Sequence, residues 1–234
     1  MEQTLKVTSV LSDPTRYNIY QYIVKEHQSV SVLEIADRFD IHPNVARLHL
    51  SKLEDVQMIT SYSQKTGKGG RPSRLYKLSD EVIELNFPHR DYKLLSNIAI
   101  ESFVELGEPG RQALYITGKK YGTQVIQRYN ETTSSKEITV EQKLHILEDA
   151  GTMLGMYPDF EYDADLKSVT FKIKNCPFKE IANQHKNQTI ICNMHNSFLK
   201  GMFEALFQNV DLIEKENMFQ GCQDCLYVAK LSIV

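Results

Sequence analysis

The chain holds 234 residues, 41% apolar and 24% charged, with a formal net charge of −3, a composition of the ordinary globular kind with room for two small domains. It lacks a basic start followed by an apolar stretch and any run of about 18 apolar residues, so neither a secretory leader nor a membrane-spanning helix is expected, and the expected address is cytoplasmic. The charge is unevenly held: residues 1–80 carry 11 Lys/Arg against 9 Asp/Glu, the remainder 16 against 21.

In chain order, residues 4–27 predict helix interrupted at Ser12-Asp13-Pro14, where a cap and an N-terminal proline belong. Ser31-Val32-Leu33-Glu34 has the spacing of a capping box and opens a short helix carrying Ile35, Ala36 and Phe39. Asp40-Ile41-His42 is a turn, and Pro43 starts a further helix to about Asp55. Two extended segments, Met58 to Ser63 and Arg74 to Leu78, flank the Gly/Lys-rich tip 66–70 and predict a β-hairpin. Helix, turn, helix and hairpin make a winged helix-turn-helix over about residues 1–80.

Residues 88–156 predict three helices. Tyr92, Leu95, Ile98, Ala99, Phe103 and Leu106 keep a 3.6-residue rhythm in the first. Glu108-Pro109-Gly110 breaks it, a second helix continues to about Tyr129, and a third runs from Val140 to Leu154. From Pro158 the period falls to 2: Phe160–Asp163 and Val169–Lys174 read as a hairpin, helices follow at about 178–185 and 188–208, and strands close the chain at about 210–218 and 226–233. The fold class expected is α+β, with a helical spacer and a β-β-α-α-β-β domain over about 157–234.

The helix from Pro43 separates two stripes. Ala46, His49, Leu50 and Leu53 share one face and are expected in the core. Asn44, Arg47, Leu48 and Ser51 share another. Such a face suits the major groove, where Arg forks onto guanine, Asn onto adenine and Leu meets a thymine methyl. No acid occurs from Val56 to Ser79, so Lys65, Lys68, Arg71 and Arg74, with Lys52, are candidate phosphate contacts, which position without specifying sequence.

The four cysteines, Cys176, Cys192, Cys222 and Cys225, all lie in the last 59 residues. In a reducing compartment such a cluster points to metal ligation or redox chemistry before structural disulfides. Their spacing is neither that of two zinc knuckles nor that of a ferredoxin run, so three segments must converge to make one site. Four thiolates can hold an iron–sulfur cluster or one zinc ion, and unligated thiols or a CxxC redox pair remain open alternatives. No Walker loop, HExxH or GxSxG occurs, so no enzyme is expected.

Leu11-Ser12-Asp13-Pro14-Thr15-Arg16, Asn44 to Leu50 and Gly70-Arg71-Pro72-Ser73-Arg74-Leu75-Tyr76-Lys77-Leu78 resemble the winged-helix regulators of the ArsR/DeoR-like class. Together with Asn175-Cys176-Pro177-Phe178, Cys192-Asn193-Met194-His195, Gly221 and Cys225, the chain is similar to SufR-type iron–sulfur repressors. The resemblance implies a cytoplasmic homodimer that represses from a palindromic operator in double-stranded DNA under the control of a cluster, [4Fe–4S] before [2Fe–2S]. Matching positions are Cys176, Cys192 and Cys225; Cys222 is the natural fourth ligand, with His195 and His185 as alternatives. The competing expectation is a winged-helix regulator with structural zinc and a small-molecule effector domain.

Overall fold

A computed structural model of the chain describes residues 2–64, 72–85, 87–88, 90–130, 138–184 and 188–231. It divides into two compact units, Met1–Arg90 and Asp91–Val234, and has the mixed helix-and-sheet class expected.

The first unit contains α1 (Glu2–Leu11), α2 (Pro14–Glu26), β1 (Val30–Ser31), α3 (Val32–Phe39), α4 (Pro43–Asp55), β2 (Ile59–Gln64) and β3 (Ser73–Leu78). Its helix starts follow local chemistry. Asp13 accepts from the Arg16 N–H at 2.9 Å and Pro14 takes the first turn, filling orphan donor positions. Ser31 and Glu34 close a reciprocal capping box at 3.1 and 3.3 Å. β3 pairs antiparallel with both β2 and the two-residue β1; β1 is too short for period 2 to signal it. Ile19, Ile23, Val30, Ile35, Leu50, Leu53, Ile59 and Tyr76 form the core.

The second unit contains α5 (Tyr92–Glu105), α6 (Glu108–Asn130), α7 (Val140–Met153), β4 (Pro158–Asp163), β5 (Ser168–Ile173), α8 (Lys179–Gln184), α9 (Gln188–Glu204), β6 (Val210–Glu216) and β7 (Cys225–Leu231). The sheet is antiparallel, in the order β4-β5-β7-β6. Cys225, Tyr227, Ala229 and Leu231 alternate into the core along β7, as one-sided burial requires. α9 lies against these inward residues: the Phe171 ring stacks on Phe203 at 5.0 Å and on Tyr227 at 5.1 Å.

α6 packs on α9 with unusually close backbones. A Cβ on Gly122 would run into the Phe198 carbonyl, one on Gly201 into the Lys119 carbonyl, and one on Gly118 would lie 2.8 Å from the Met194 carbonyl. The Thr123 hydroxyl donates across the crossing to the Gly201 carbonyl at 3.1 Å. α5 differs in kind, for it buries no residue. Its expected apolar stripe faces outward, with Tyr92 65%, Leu95 62% and Ile98 55% exposed.

Candidate functional site

Two constellations carry chemistry, one in each unit. On α4 the division into two faces is as the periodicity predicts: Ala46, His49, Leu50 and Leu53 are buried, whereas Asn44, Arg47, Leu48 and Lys52 are exposed and Ser51 is half-buried. The Asn44 side-chain carbonyl accepts from the Arg47 guanidinium at 3.0 Å, which holds the two candidate groups side by side. Leu48, on the same face, is 54% exposed. Lys52 reaches Asp55 at 3.8 Å, a weak exposed pair that leaves its charge available.

Arg74 is placed differently from that expectation of a phosphate contact. Its guanidinium donates to both Glu54 oxygens at 2.9 and 2.7 Å and to the Ser61 hydroxyl at 2.9 Å, and it covers the Tyr76 ring at 5.3 Å. Glu54 precedes the acid-free stretch by two residues, so linear charge pattern hides a partner that folding supplies. Lys65, Lys68 and Arg71 lie outside the described residues, as does His185.

The second constellation is built by three elements. Cys176 follows β5 in a loop fastened to the end of α7: the Asn175 side-chain amide donates to the Gly155 carbonyl at 2.7 Å, and its backbone N–H to the Met156 carbonyl at 3.2 Å. Cys225 is the first residue of β7 and pairs with Ile173 on β5. Cys192 is the fifth residue of α9, so it sits inside the helix. Cys176 and Cys225 are buried, Cys192 and Cys222 half-buried.

Cys176, Cys192 and Cys225 lie in one another's electrostatic surroundings. Burial pushes the Cys176 thiol up to about 12, with Cys225, Cys192 and Glu180 adding to it against a hydrogen bond from Phe178. Burial also raises Cys192, opposed by Asn217, and raises Cys225, opposed by the Met218 N–H. Three thiols held protonated in a dry, mildly acidic corner make poor nucleophiles, but a bound cation would reverse the balance by stabilising thiolate.

His195, one turn beyond Cys192, is 4% exposed, and burial lowers its pKa to about 4, so it is a neutral imidazole. Its Nδ1 lies 3.6 Å from Cys176 Sγ and its Nε2 3.5 Å from Met156 Sδ. The Phe178 ring meets it edge-on at 5.2 Å. Within Asn175-Cys176-Pro177-Phe178, then, the asparagine anchors the loop, the cysteine supplies the thiol and the phenylalanine packs its ring on His195. The Asn217 amide, which the spacing of cysteines could not reveal, donates to Cys192 Sγ at 3.7 Å and to Glu214 at 3.0 Å.

No group of three or more His, Cys, Asp or Glu side chains among the described residues is assembled to hold a metal ion. The donor set nevertheless fits soft metal chemistry: three thiols from separate elements, one neutral imidazole, and no competing ion pair among these four groups.

Comparison with known proteins divides the chain along similar lines. Residues 11–62 match the family described as a helix-turn-helix domain. The chain is a DNA-binding transcription regulator. Residues 116–229 of this regulator match the family described as methanogen output domain 1. No curated protein matches it. Among solved structures it is similar to a trafficking protein particle complex subunit 3 from Naegleria fowleri covalently bound to palmitic acid, with 12% identity over 60% of this chain and 97% of that one, at a TM-score of 0.41. It is also similar to the phenol-responsive sensory domain of the transcription activator PoxR with phenol, with 15% identity over 79% of this chain and 89% of that one, at a TM-score of 0.45. Among the described residues no helix is long and apolar enough to cross a membrane.

Proposed function

We propose that this regulator is a repressor whose operator affinity is set by an iron–sulfur cluster held by Cys176, Cys192 and Cys225 with one further ligand. What supports this reading is that Cys176, Cys192 and Cys225, from a loop, a helix and a strand of the second unit, are near enough to influence one another electrostatically, although among the described residues they are not drawn together into a group that would hold a metal. When bound, a cluster supplies a charge centre sensitive to oxidants that ties the three segments together. This chain's own groups do the rest: Asn175 fixes the Cys176 loop, Asn217 and Met218 direct N–H groups at Cys192 and Cys225, and Phe178 helps exclude water.

The DNA-reading groups in this proposal are Asn44, Arg47, Leu48 and Ser51, with Lys52 on the backbone. Two-fold pairing would present two such helices to a palindromic operator. The outward stripe Tyr92-Leu95-Ile98 of α5 is the natural surface for that homodimer, because apolar residues repeating along an uncovered helix are those a partner helix buries.

The competing reading is a zinc-stabilised regulator with a small-molecule effector. An apolar cavity lined by Leu147, Met156, Phe160, Phe171, Leu199 and Phe203 is where such an effector would go. Its volume of about 10 Å³ falls far below the roughly 300–1,000 Å³ of ordinary ligand sites, so an effector there would have to open it. Anaerobic purification discriminates the two: a cluster protein is brown and contains iron with acid-labile sulfide, while a colourless protein containing zinc alone would overturn the proposal.

A further inference from the structure

We infer that Glu54, Ser61 and Arg74 form a brace that fixes the β2–β3 hairpin at a set angle to α4. Arg74 and Glu54 are then positioning residues for operator recognition, acting through each other and not through contact with DNA. The inference rests on the DNA-reading role proposed above for α4.

The brace joins three elements. Glu54 stands seven residues after Arg47 on α4, two helical turns along the same stripe. An acid in that place would by itself repel the phosphates of bound DNA. Its carboxylate accepts instead from Arg74 Nη2, at 2.9 Å to one oxygen and 2.7 Å to the other, and from the Ser61 hydroxyl at 2.6 Å. The Ser61 oxygen accepts in turn from Arg74 Nε at 2.9 Å. Side chains from α4, β2 and β3 thus close one ring of charge-assisted hydrogen bonds.

Strand register accounts for the reach. Arg74 is paired across the hairpin with Ser63, and Tyr76 with Ser61. The guanidinium therefore spans the diagonal to a residue on the same face of the sheet. It crosses the Tyr76 ring at 5.3 Å, and Tyr76 is 1% exposed, so the surface beneath it is fixed. The Arg74 side chain is 54% exposed and that of Glu54 27%, and an isolated pair of that kind contributes little to stability. One planar group meeting two partners over a buried ring defines a direction, which is the property a brace needs.

That direction bears on DNA. α4 passes into β2 through residues 56–58, with Gln57 in the left-handed region at φ 61°, so this short turn and the brace together set how the hairpin leaves the helix. The segment between β2 and β3 carries Lys65, Lys68 and Arg71, the candidate phosphate contacts. A swing of the hairpin would put those charges out of step with Arg47. Specific binding requires base and phosphate contacts at once, whereas non-specific binding requires only the charges.

The test uses the full chain, a duplex selected from a random library by the wild-type protein, and a scrambled duplex. Glu54→Gln removes an acid and releases Arg74, so charge alone predicts tighter binding. The brace predicts the reverse: a loss of roughly 3–30-fold on the selected duplex, within the coupling range of one hydrogen-bonded network, with no loss on the scrambled one. Arg74→Lys keeps the charge without the planar fork and should lose affinity in the same way. The double variant Glu54→Gln/Arg74→Lys should be no weaker than the weaker single, because both changes break one link. Ser61→Ala, which alters no charge, should shift binding in the same direction. Binding of the selected duplex by Glu54→Gln at or above the wild-type level, with Arg47→Ala weakened, would overturn the brace and leave the reading of α4 standing. So would wild-type binding by Arg74→Lys with a salt slope lowered by about one in Arg74→Ala, the signature of a direct phosphate contact. Unchanged binding by Arg47→Ala would remove the reading of α4 itself, and the brace with it.

Discussion

Arg47 and Arg74 carry the same charge on the same unit and meet different partners. Arg47 is exposed and its guanidinium donates to Asn44, so on the proposed reading its truncation should cost about 1–3 kcal/mol on a specific operator and flatten base preference. A binding titration against operator and scrambled duplexes measures it; unchanged operator affinity in a folded Arg47→Ala protein would mean that another face reads the bases. Arg74 is spoken for by Glu54 and Ser61. Arg74→Ala should therefore lower stability by up to about 1 kcal/mol, as a partly exposed pair does, and leave the salt slope of DNA binding unchanged. His49 supplies a pH dependence. Burial lowers its pKa, Asp13 opposes and Arg16 adds to it, so the folded unit prefers the neutral ring. A depressed base contributes its stability fully above the unfolded value near 6.5 and loses it as pH falls below that. Urea titrations of the full chain at about pH 7.5 and about pH 5.5, either side of that value, with amide exchange in α4 as reporter, should show a loss in the wild type that His49→Gln lacks.

Among the elements, the α6–α9 crossing and the α5 stripe make opposite demands on their surfaces. Gly122 and Gly201 face carbonyl groups of the opposing helix, and backbone cannot step aside as a flexible side chain can. Gly122→Ala should cost about 1–3 kcal/mol through overpacking, visible as a lower urea midpoint with an unchanged slope. On α5, Ile98→Glu should leave the monomer's stability within about 0.5 kcal/mol, because the residue is exposed. In the proposed dimer the same change should shift sedimentation toward the monomer; an unmoved dimer would place the interface elsewhere. The sequence rhythm of Tyr92, Leu95 and Ile98 identifies a helix, yet periodicity reports only that apolar residues share a face. It does not say whether the chain itself covers that face. The capping box at Ser31 is legible because both partners lie within four residues; β1 is not, because its partner β3 lies more than 40 residues on.

For the whole molecule, the two-ended layout is legible from the placement of charge and cysteine, whereas the placement of Cys176 after β5, Cys192 within α9 and Cys225 at the start of β7 depends on strand register and the turn of α9. Asn217 and Met156 are illegible altogether, since an amide and a thioether acquire meaning only beside the atoms they touch. The proposed switch makes a thermodynamic demand: the factor by which cluster binding alters DNA affinity must equal that by which DNA alters cluster affinity. Holo and apo dimers should differ in operator affinity by about 5–150-fold, the span of ordinary coupling energies, and peroxide treatment should carry one to the other. Matched affinities would leave the cluster a structural staple.

The mooring of Asn175 would make loss of the proposed cluster lopsided. Its two hydrogen bonds to Gly155 and Met156 do not involve the sulfurs, so the Cys176 loop stays berthed against the end of α7 whatever happens at the thiols. Cys225 is likewise held by its pairing with Ile173. Cys192, on the first turns of α9 with one amide contact to Asn217, has the slackest berth. Emptying the site should therefore raise amide exchange along residues 188–193 and 217–224, while residues 154–176 remain protected. Departure of the proposed cluster would then be felt first as a local loosening at the head of α9, and the quiet side of the site would serve as the fixed post against which that motion is measured.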